Sequence, residues 1–400
     1  MSRLFLKNLD LKNKKVLVRV DFNVPLDENG AITDSTRIEE SLPTIQFVLK
    51  QGGSVILLSH LGRPEGKVDL KYSLKPCAQK LAKLLHKPIY FASDCLGVDA
   101  KSKSSQLKPG EVLLLENLRF YPAEEAPQID PDFAKKIASY GDCYIDDAFG
   151  AAHRDHSSIV RLPKAFPGKA ASGLLLEKEI GALTPLFLKP AKPFHVIIGG
   201  AKISSKLGVL HSLLQKANAL FIGGAMAFTF LKAKGISIGE SRYEPSLLDA
   251  AIEIMQLCMQ RNISLFLPLD IVVCKEFSAT STSKIVDVES GIEKGWRGMD
   301  IGPKTLFFWE NELKKAHSIF WNGPVGVFEF PAFAEGTFNL ATFLSSLTCP
   351  RIVGGGDSVA AINQLKLTKK FSHISTGGGA SLEFLEKGTL PGIEALSKLE

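Results

Sequence analysis

The sequence predicts an α/β protein built from two doubly wound parallel-sheet domains joined by an inter-domain helix. Three observations support this. Short β-type runs recur along the chain and are apolar throughout, without the alternation of a half-solvated sheet, as in strands covered on both faces. Helical patterns lie between these runs, the order expected of successive βα units. The 400 residues exceed what one core usually holds, so two domains are expected.

In the first half the strand-like runs are Lys15–Val20, Ser54–Ser59, Glu111–Glu116 and Asp142–Asp146. In the second half they are Phe194–Ile198, Ala219–Ile222, Ser264–Pro268, Ser318–Trp321 and Arg351–Val353. Leu74–Leu85 and Pro131–Ser139 read as helices between them. The seam falls near residues 167–192. There Pro167-Gly168 precedes a helical pattern over Ala170–Leu183, and Pro185, Pro190 and Pro193 punctuate the stretch beyond it. The expected division is therefore 1–168, an inter-domain helix and linker at 169–192, and a second domain from 193. No internal repeat or low-complexity tract is present.

A composition 45% hydrophobic and 22% charged is that of an ordinary globular protein. The formal charge of +6 suits an anionic small substrate, but without a basic run it does not argue for nucleic acid. Residues 1–10 have no long apolar core and no small-residue cleavage site, so a signal peptide is not expected. The longest charge-free apolar run, Ala219–Leu231, is too short to span a bilayer. The six cysteines are widely spaced and read as reduced, mostly buried thiols, so a cytoplasmic protein is expected.

In doubly wound sheets, ligands sit beyond the carboxyl ends of the strands. In the first domain those ends carry Asp21-Phe22-Asn23, His60-Leu61-Gly62-Arg63, Asn117-Leu118-Arg119 and Asp146-Asp147 with His153-Arg154 beyond. With Arg37 ahead of an early helix, one rim gathers Arg37, His60, Arg63, Arg119 and Arg154. Guanidinium forks match planar oxyanions, so this rim suits a phosphate together with a carboxylate. Asp146, Asp147, His153 and His156 read as hydrogen-bonding groups and not as a metal site.

The second domain carries glycine at its strand ends: Gly199-Gly200-Ala201-Lys202, Gly223-Gly224, Asn322-Gly323 through Glu329, Gly354-Gly355-Gly356-Asp357-Ser358 and Gly377-Gly378-Gly379. Glycine lets backbone N–H groups approach an anion, and a helix starting beside Asp357 would turn its positive end to a phosphate. Asp357 is the carboxylate able to hold Mg²⁺ against that phosphate. Lys202 and Lys206 are four apart and share a helix face if the helix begins near Ile203. There is no Gly-x-x-x-x-Gly-Lys-Ser/Thr and no complete Gly-x-Gly-x-x-Gly, which counts against a P-loop nucleotidase and a dinucleotide-dependent dehydrogenase.

Taken together, Arg19–Pro25, Ser59–Pro64, Glu116–Phe120, Gly199–Lys202, Trp321–Glu329, Gly354–Ser358 and Ser375–Ser381 resemble the phosphoglycerate kinase family, in the family's order and from end to end. The resemblance implies two Rossmann-like domains facing a cleft, and reversible transfer of the acyl phosphate of 1,3-bisphosphoglycerate to ADP with hinge closure between them, in a monomer. It assigns the acid substrate to Asp21, Asn23, Arg37, His60, Arg63, Arg119 and Arg154, with Arg37 nearest the transferring group. Nucleotide contacts are implied for Lys202, Lys206, Gly223, Gly224, Asn322, Glu329, Gly355, Gly356, Asp357 and Ser358. Mg²⁺ falls to Asp357; Lys206 and amides near Gly356 and Gly379 face the group in flight. The second domain would end at 384, with residues 385–400 returning to the first. One departure stands out: Asp155 follows Arg154 where the family usually has a small residue, and could pair with it. The rival reading is a catalytically degenerate binding protein of the same fold.

Overall fold

The structure, a computed structural model, describes residues 3–397. The chain divides into two units. One takes the chain up to Gly181 and again from Thr389, and the other takes Ala182–Gly388; the first boundary falls inside the helix Leu174–Leu188.

The first unit holds β1 (Lys15–Arg19), β2 (Ser54–Leu58), β3 (Tyr90–Phe91), β4 (Val112–Leu114), β5 (Cys143–Asp146) and β6 (Ala170–Ser172). They form one sheet in the order β3-β4-β2-β1-β5-β6, and every pair is parallel. Val16, Leu17 and Val18 of β1 and Val55, Ile56 and Leu57 of β2 are all fully buried, which is why these runs are apolar without alternation. The chain leaves β1 toward β2 on one side and leaves β5 toward β6 on the other, so the loops after β1 and β5 part over a crevice.

The second unit holds β7 (Phe194–Ile198), β8 (Ala219–Ile222), β9 (Ser264–Phe266), β10 (Asp270–Cys274), β11 (Ser283–Asp287), β12 (Arg297–Ile301), β13 (Ser318–Asn322), β14 (Arg351–Gly354) and β15 (His373–Ile374). Six of them make a parallel sheet in the order β15-β14-β13-β7-β8-β9. Its loops part between β7 and β13. The other three make an antiparallel sheet, β11-β10-β12, that sequence periodicity did not anticipate. Trp309, Trp321 and Phe221 are buried at the centre of this unit.

Two sequence expectations need correction. The pattern over Ala170–Leu183 is not one helix: Ala170–Ser172 is strand β6, paired with β5, and the helix starts at Leu174. Gly173 divides them, because a Cβ there would lie 2.2 Å from Asp147 Oδ1, the oxygen that accepts the Leu175 and Leu176 N–H groups at the head of the helix. Arg37 lies inside the helix Thr36–Lys50, in its first turn, rather than ahead of it.

The last described segment belongs to the first unit. The Gly392 N–H donates to Ala152 O at 2.8 Å, and Ala395 packs on the buried cluster Ala148, Ala151, Ile159 and Val160. A Cβ on Gly392 would sit 2.8 Å from Ile159 Cγ2. No described helix is long and apolar enough to cross a membrane.

Candidate active site

In the first unit, Asp21 follows β1 and is buried, and Arg37 Nη1 donates to its Oδ2. Burial raises this carboxyl, but Arg37, Arg19 and the Asn23 amide outweigh burial and hold it at about 2. Asn23 Oδ1 accepts the Gly62 N–H at 2.9 Å, and Gly62 O accepts from Arg119 Nη1 at 2.8 Å, so the loops after β1, β2 and β4 are tied together. His60 is buried with its Nδ1 3.1 Å from Arg19 Nη2. Burial, joined by the charges of Arg19, Arg119 and Arg37, pushes its pKa well below the usual imidazole range despite the opposing pull of Asp21, so the ring is neutral.

Arg119 is also held by Glu125, whose Oε1 lies 3.1 Å from Nε without the alignment of a hydrogen bond. Arg63 and Arg154 are exposed. His156 is lowered to about 3 by burial and by Arg119, Arg19 and Arg154, which places Arg154 within electrostatic reach of the buried rim. Asp155 does not pair with Arg154. Its Oδ1 is 2.9 Å from Arg161 Nη1, because the turn Ser157–Arg161 brings that arginine back over it. The structure thus brings Asp21, Asn23, Arg37, His60 and Arg119 together, with Arg63 and Arg154 reaching solvent.

In the second unit the parting loops after β7 and β13 hold Lys206 between them. Its Nζ donates to Gly199 O at 2.6 Å, Asn322 Oδ1 at 2.7 Å and Asn322 O at 3.2 Å. Burial lowers this ammonium to about 8 against the opposing charge of Asp357. Gly323, at φ +93°, makes room for it: a Cβ there would lie 2.7 Å from Nζ and 2.4 Å from Gly199 O. The helix of this region begins at Leu207, not near Ile203, so Lys202 and Lys206 do not share a helix face. The Ile203 and Ser204 N–H groups donate instead to Glu244 Oε2, and Ser204 Oγ donates to Glu244 Oε1 at 2.6 Å.

Two adjoining cavities open here. The smaller, about 330 Å³, is lined by Lys202, Lys206, Asn322, Gly355, Gly356 and Gly379 among others. Its glycines and the helix starting at Gly356 form an anion-binding wall. The larger, about 640 Å³, is mainly apolar, with Phe228, Phe277, Met299, Val325 and Phe330 on its walls and Gly224 and Glu329 on its edge. Asp357, exposed in the first turn of that helix, lines both. A polyphosphate slot joined to an apolar slot is the shape of a nucleotide. Gly223 and Ser358 are buried and line neither cavity. Ser358 Oγ accepts the Gly323 N–H at 2.6 Å and anchors the loop that seats Lys206.

The family model described as phosphoglycerate kinase matches residues 6–388. The chain belongs to the phosphoglycerate kinase family. It is similar to the phosphoglycerate kinases of Moorella thermoacetica, at 49% identity over 398 residues with 100% of both chains covered, and of Dictyoglomus turgidum, at 51% with 98% and 97% covered. The solved structure of phosphoglycerate kinase from Coxiella burnetii superposes with a TM-score of 0.86 at 40% identity, covering 99% of each chain. Membership makes the protein a phosphotransferase with a carboxyl acceptor, acting on small molecules of which one is a nucleotide.

Sequence reasoning missed the apolar walls of the larger cavity. Met299 comes from β12 and Phe228 from the helix Met226–Ala233, and neither carries a local signal. Glu244 was missed as well. Its only trace is an acid some forty residues beyond the loop it ties.

Proposed function

We propose that the arginine-rich rim of the first unit binds 3-phosphoglycerate or 1,3-bisphosphoglycerate and that the glycine-rich loops of the second bind Mg-ADP or Mg-ATP, with direct in-line transfer between them. The single observation behind this reading is the Lys206 ammonium, seated between glycine loops with Asp357 beside it. Phosphoryl transfer asks little covalent work of a protein. It needs in-line positioning and positive charge on the equatorial oxygens.

Arg37 and Arg119 supply bidentate donors for the acid's phosphate and carboxylate, and neutral His60 supplies a further N–H. Asp21 keeps Arg37 in place. Lys206 balances charge on the group in flight, and amides at Gly356 and Gly379 add fixed dipoles. The exposed carboxylate of Asp357, lining both cavities, fits Mg²⁺, which takes one or two carboxylates plus substrate phosphates. When bound, the ion neutralises charge on the phosphate oxygens. The apolar slot takes the base, and Glu329 at its edge takes the ribose. A monomer acting in the cytoplasm completes the proposal.

The test is a coupled assay of NADH consumption with purified protein, 3-phosphoglycerate, ATP and Mg²⁺, beside Arg37→Ala. Turnover is expected in the wild type, with kcat in the variant reduced about 10²–10³-fold, as for loss of one transition-state donor. Equal turnover in both would remove Arg37 from the site.

A further inference from the structure

Arg19 is the last residue of β1 and one of the largest fully buried side chains in the protein. It therefore cannot touch a ligand, yet one of its nitrogens reaches His60 of the acid-binding rim. Its Nε donates to Ser158 Oγ at 2.8 Å, its Nη1 donates to Val20 O, and its Nη2 lies 3.1 Å from His60 Nδ1. Ser158 is itself fixed, donating from Oγ to Glu124 Oε1 at 2.6 Å and from its N–H to Glu124 Oε2 at 3.0 Å. Glu124 is buried and balances the guanidinium charge at 4.0 Å. Ser158 sits in the π-turn Ser157–Arg161, a local irregularity that aims its hydroxyl inward.

A guanidinium has five N–H donors and no acceptor. The contact between Arg19 Nη2 and His60 Nδ1 is therefore possible in one sense only, with Nδ1 offering its lone pair. A neutral imidazole whose Nδ1 accepts carries its proton on Nε2. We propose that Arg19 is a positioning residue: by donating to His60 Nδ1 it fixes the ring orientation and the Nε2–H tautomer, so that His60 presents a donor, never a lone pair, to the oxyanions of the acid substrate. The chain Glu124–Ser158–Arg19–His60 is the device. A free imidazole turned over by a ring flip would set a lone pair against an anion and repel it. The proposal rests on the reading of this rim as the acid-binding site.

The first measurement needs neither substrate nor variant. In the long-range ¹H–¹⁵N spectrum of the full chain labelled on histidine, His60 is expected to show a bare Nδ1 and a protonated Nε2 at neutral pH. A protonated Nδ1 would overturn the proposal. Kinetics then test the consequence. Arg19→Gln is expected to raise KM for 3-phosphoglycerate at least about tenfold, the fold-change of one lost hydrogen bond to a charged group, with KM for ATP unchanged. Arg19→Lys, which can still donate to Nδ1, is expected to recover part of that loss. If Arg19→Gln does not fold, Ser158→Ala leaves the guanidinium in place but frees its Nε, and a smaller rise in the same KM is expected, with a second population of His60 nitrogen signals. Folded variants with unchanged KM for the acid would refute the role. A wild type that shows the Nε2–H signal yet does not turn over 3-phosphoglycerate would sink the proposed function while leaving the tautomer assignment intact.

Discussion

Gly323 and Gly200 offer a matched pair for testing how Lys206 is seated. Both have positive φ, +93° and +97°, so alanine at either strains the backbone by about 1–3 kcal/mol. Their surroundings differ. A Cβ at Gly200 meets only the tip of Lys206, Nζ at the ordinary contact distance of 3.4 Å and Cε at 4.0 Å, whereas at Gly323 it would lie 2.4 Å from Gly199 O and 2.7 Å from Nζ. The carbonyl is backbone and cannot yield, so the ammonium must leave at least one of its three acceptors. Each buried hydrogen bond left unmade costs about 1–3 kcal/mol. Gly200→Ala is therefore expected to cost about 1–3 kcal/mol and Gly323→Ala about 2–6 kcal/mol. The variants differ by the hydrogen-bond cost of about 1–3 kcal/mol, so at roughly 2–4 °C per kcal/mol for a unit of this size the two melting temperatures should differ by about 2–12 °C. All three tryptophans, Trp296, Trp309 and Trp321, lie in the second unit, so intrinsic fluorescence follows its unfolding alone. In the coupled assay Gly323→Ala should raise KM for ATP about tenfold or more and leave KM for 3-phosphoglycerate within about twofold. Equal melting and equal KM for ATP in the two variants would refute the seating of Lys206 between these loops.

Three more outcomes rest on the same geometry. Because burial holds Lys206 at about 8, kcat/KM for the nucleotide should fall as pH rises through that value, and Lys206→Met should remove the limb from a pH profile. Asp21, held at about 2, contributes stability that is fully present above the unfolded carboxyl pKa and lost as pH falls through its folded value. Asp21→Asn should cost about 2 kcal/mol at neutral pH in denaturant titrations and nearly nothing at the lowest pH. Asp155→Ala should leave KM for 3-phosphoglycerate within about twofold, since Asp155 is engaged with Arg161 at the surface; a tenfold fall in KM would show that it competes for Arg154 after all.

Much of this was legible in the sequence, for identifiable reasons. Strands β1, β2, β7 and β13 are buried on both faces, so their apolar runs are unbroken, and the residues just beyond them necessarily fall at the ligand rim. His60 and Arg119 could therefore be grouped from the sequence, whereas Arg37 comes from the helix Thr36–Lys50. The antiparallel sheet was not legible because β11, Ser283-Lys284-Ile285-Val286-Asp287, is largely open to solvent and so has no apolar run to find. The false helix across Ala170–Leu183 illustrates the ambiguity of short apolar stretches. Gly173 was the available signal, but its meaning depends on Asp147, which approaches only in three dimensions. The start of the helix at Leu207 depends likewise on Glu244, and the partner of Asp155 on a π-turn.

The segment after Thr389 sets a schedule for synthesis. The cluster Ala148, Ala151, Ile159 and Val160 receives Ala395 only after the whole of Ala182–Gly388 has been made. At roughly 5–20 residues per second, a ribosome-bound chain therefore carries an unfinished first unit for about 10–40 s while the second is being translated. During that interval the apolar floor under Gly392 is open to chaperones and to neighbouring nascent chains. A polypeptide released before Thr389 exposes the same floor permanently, so Gly392 and Ala395 close the first unit only once the second has been made.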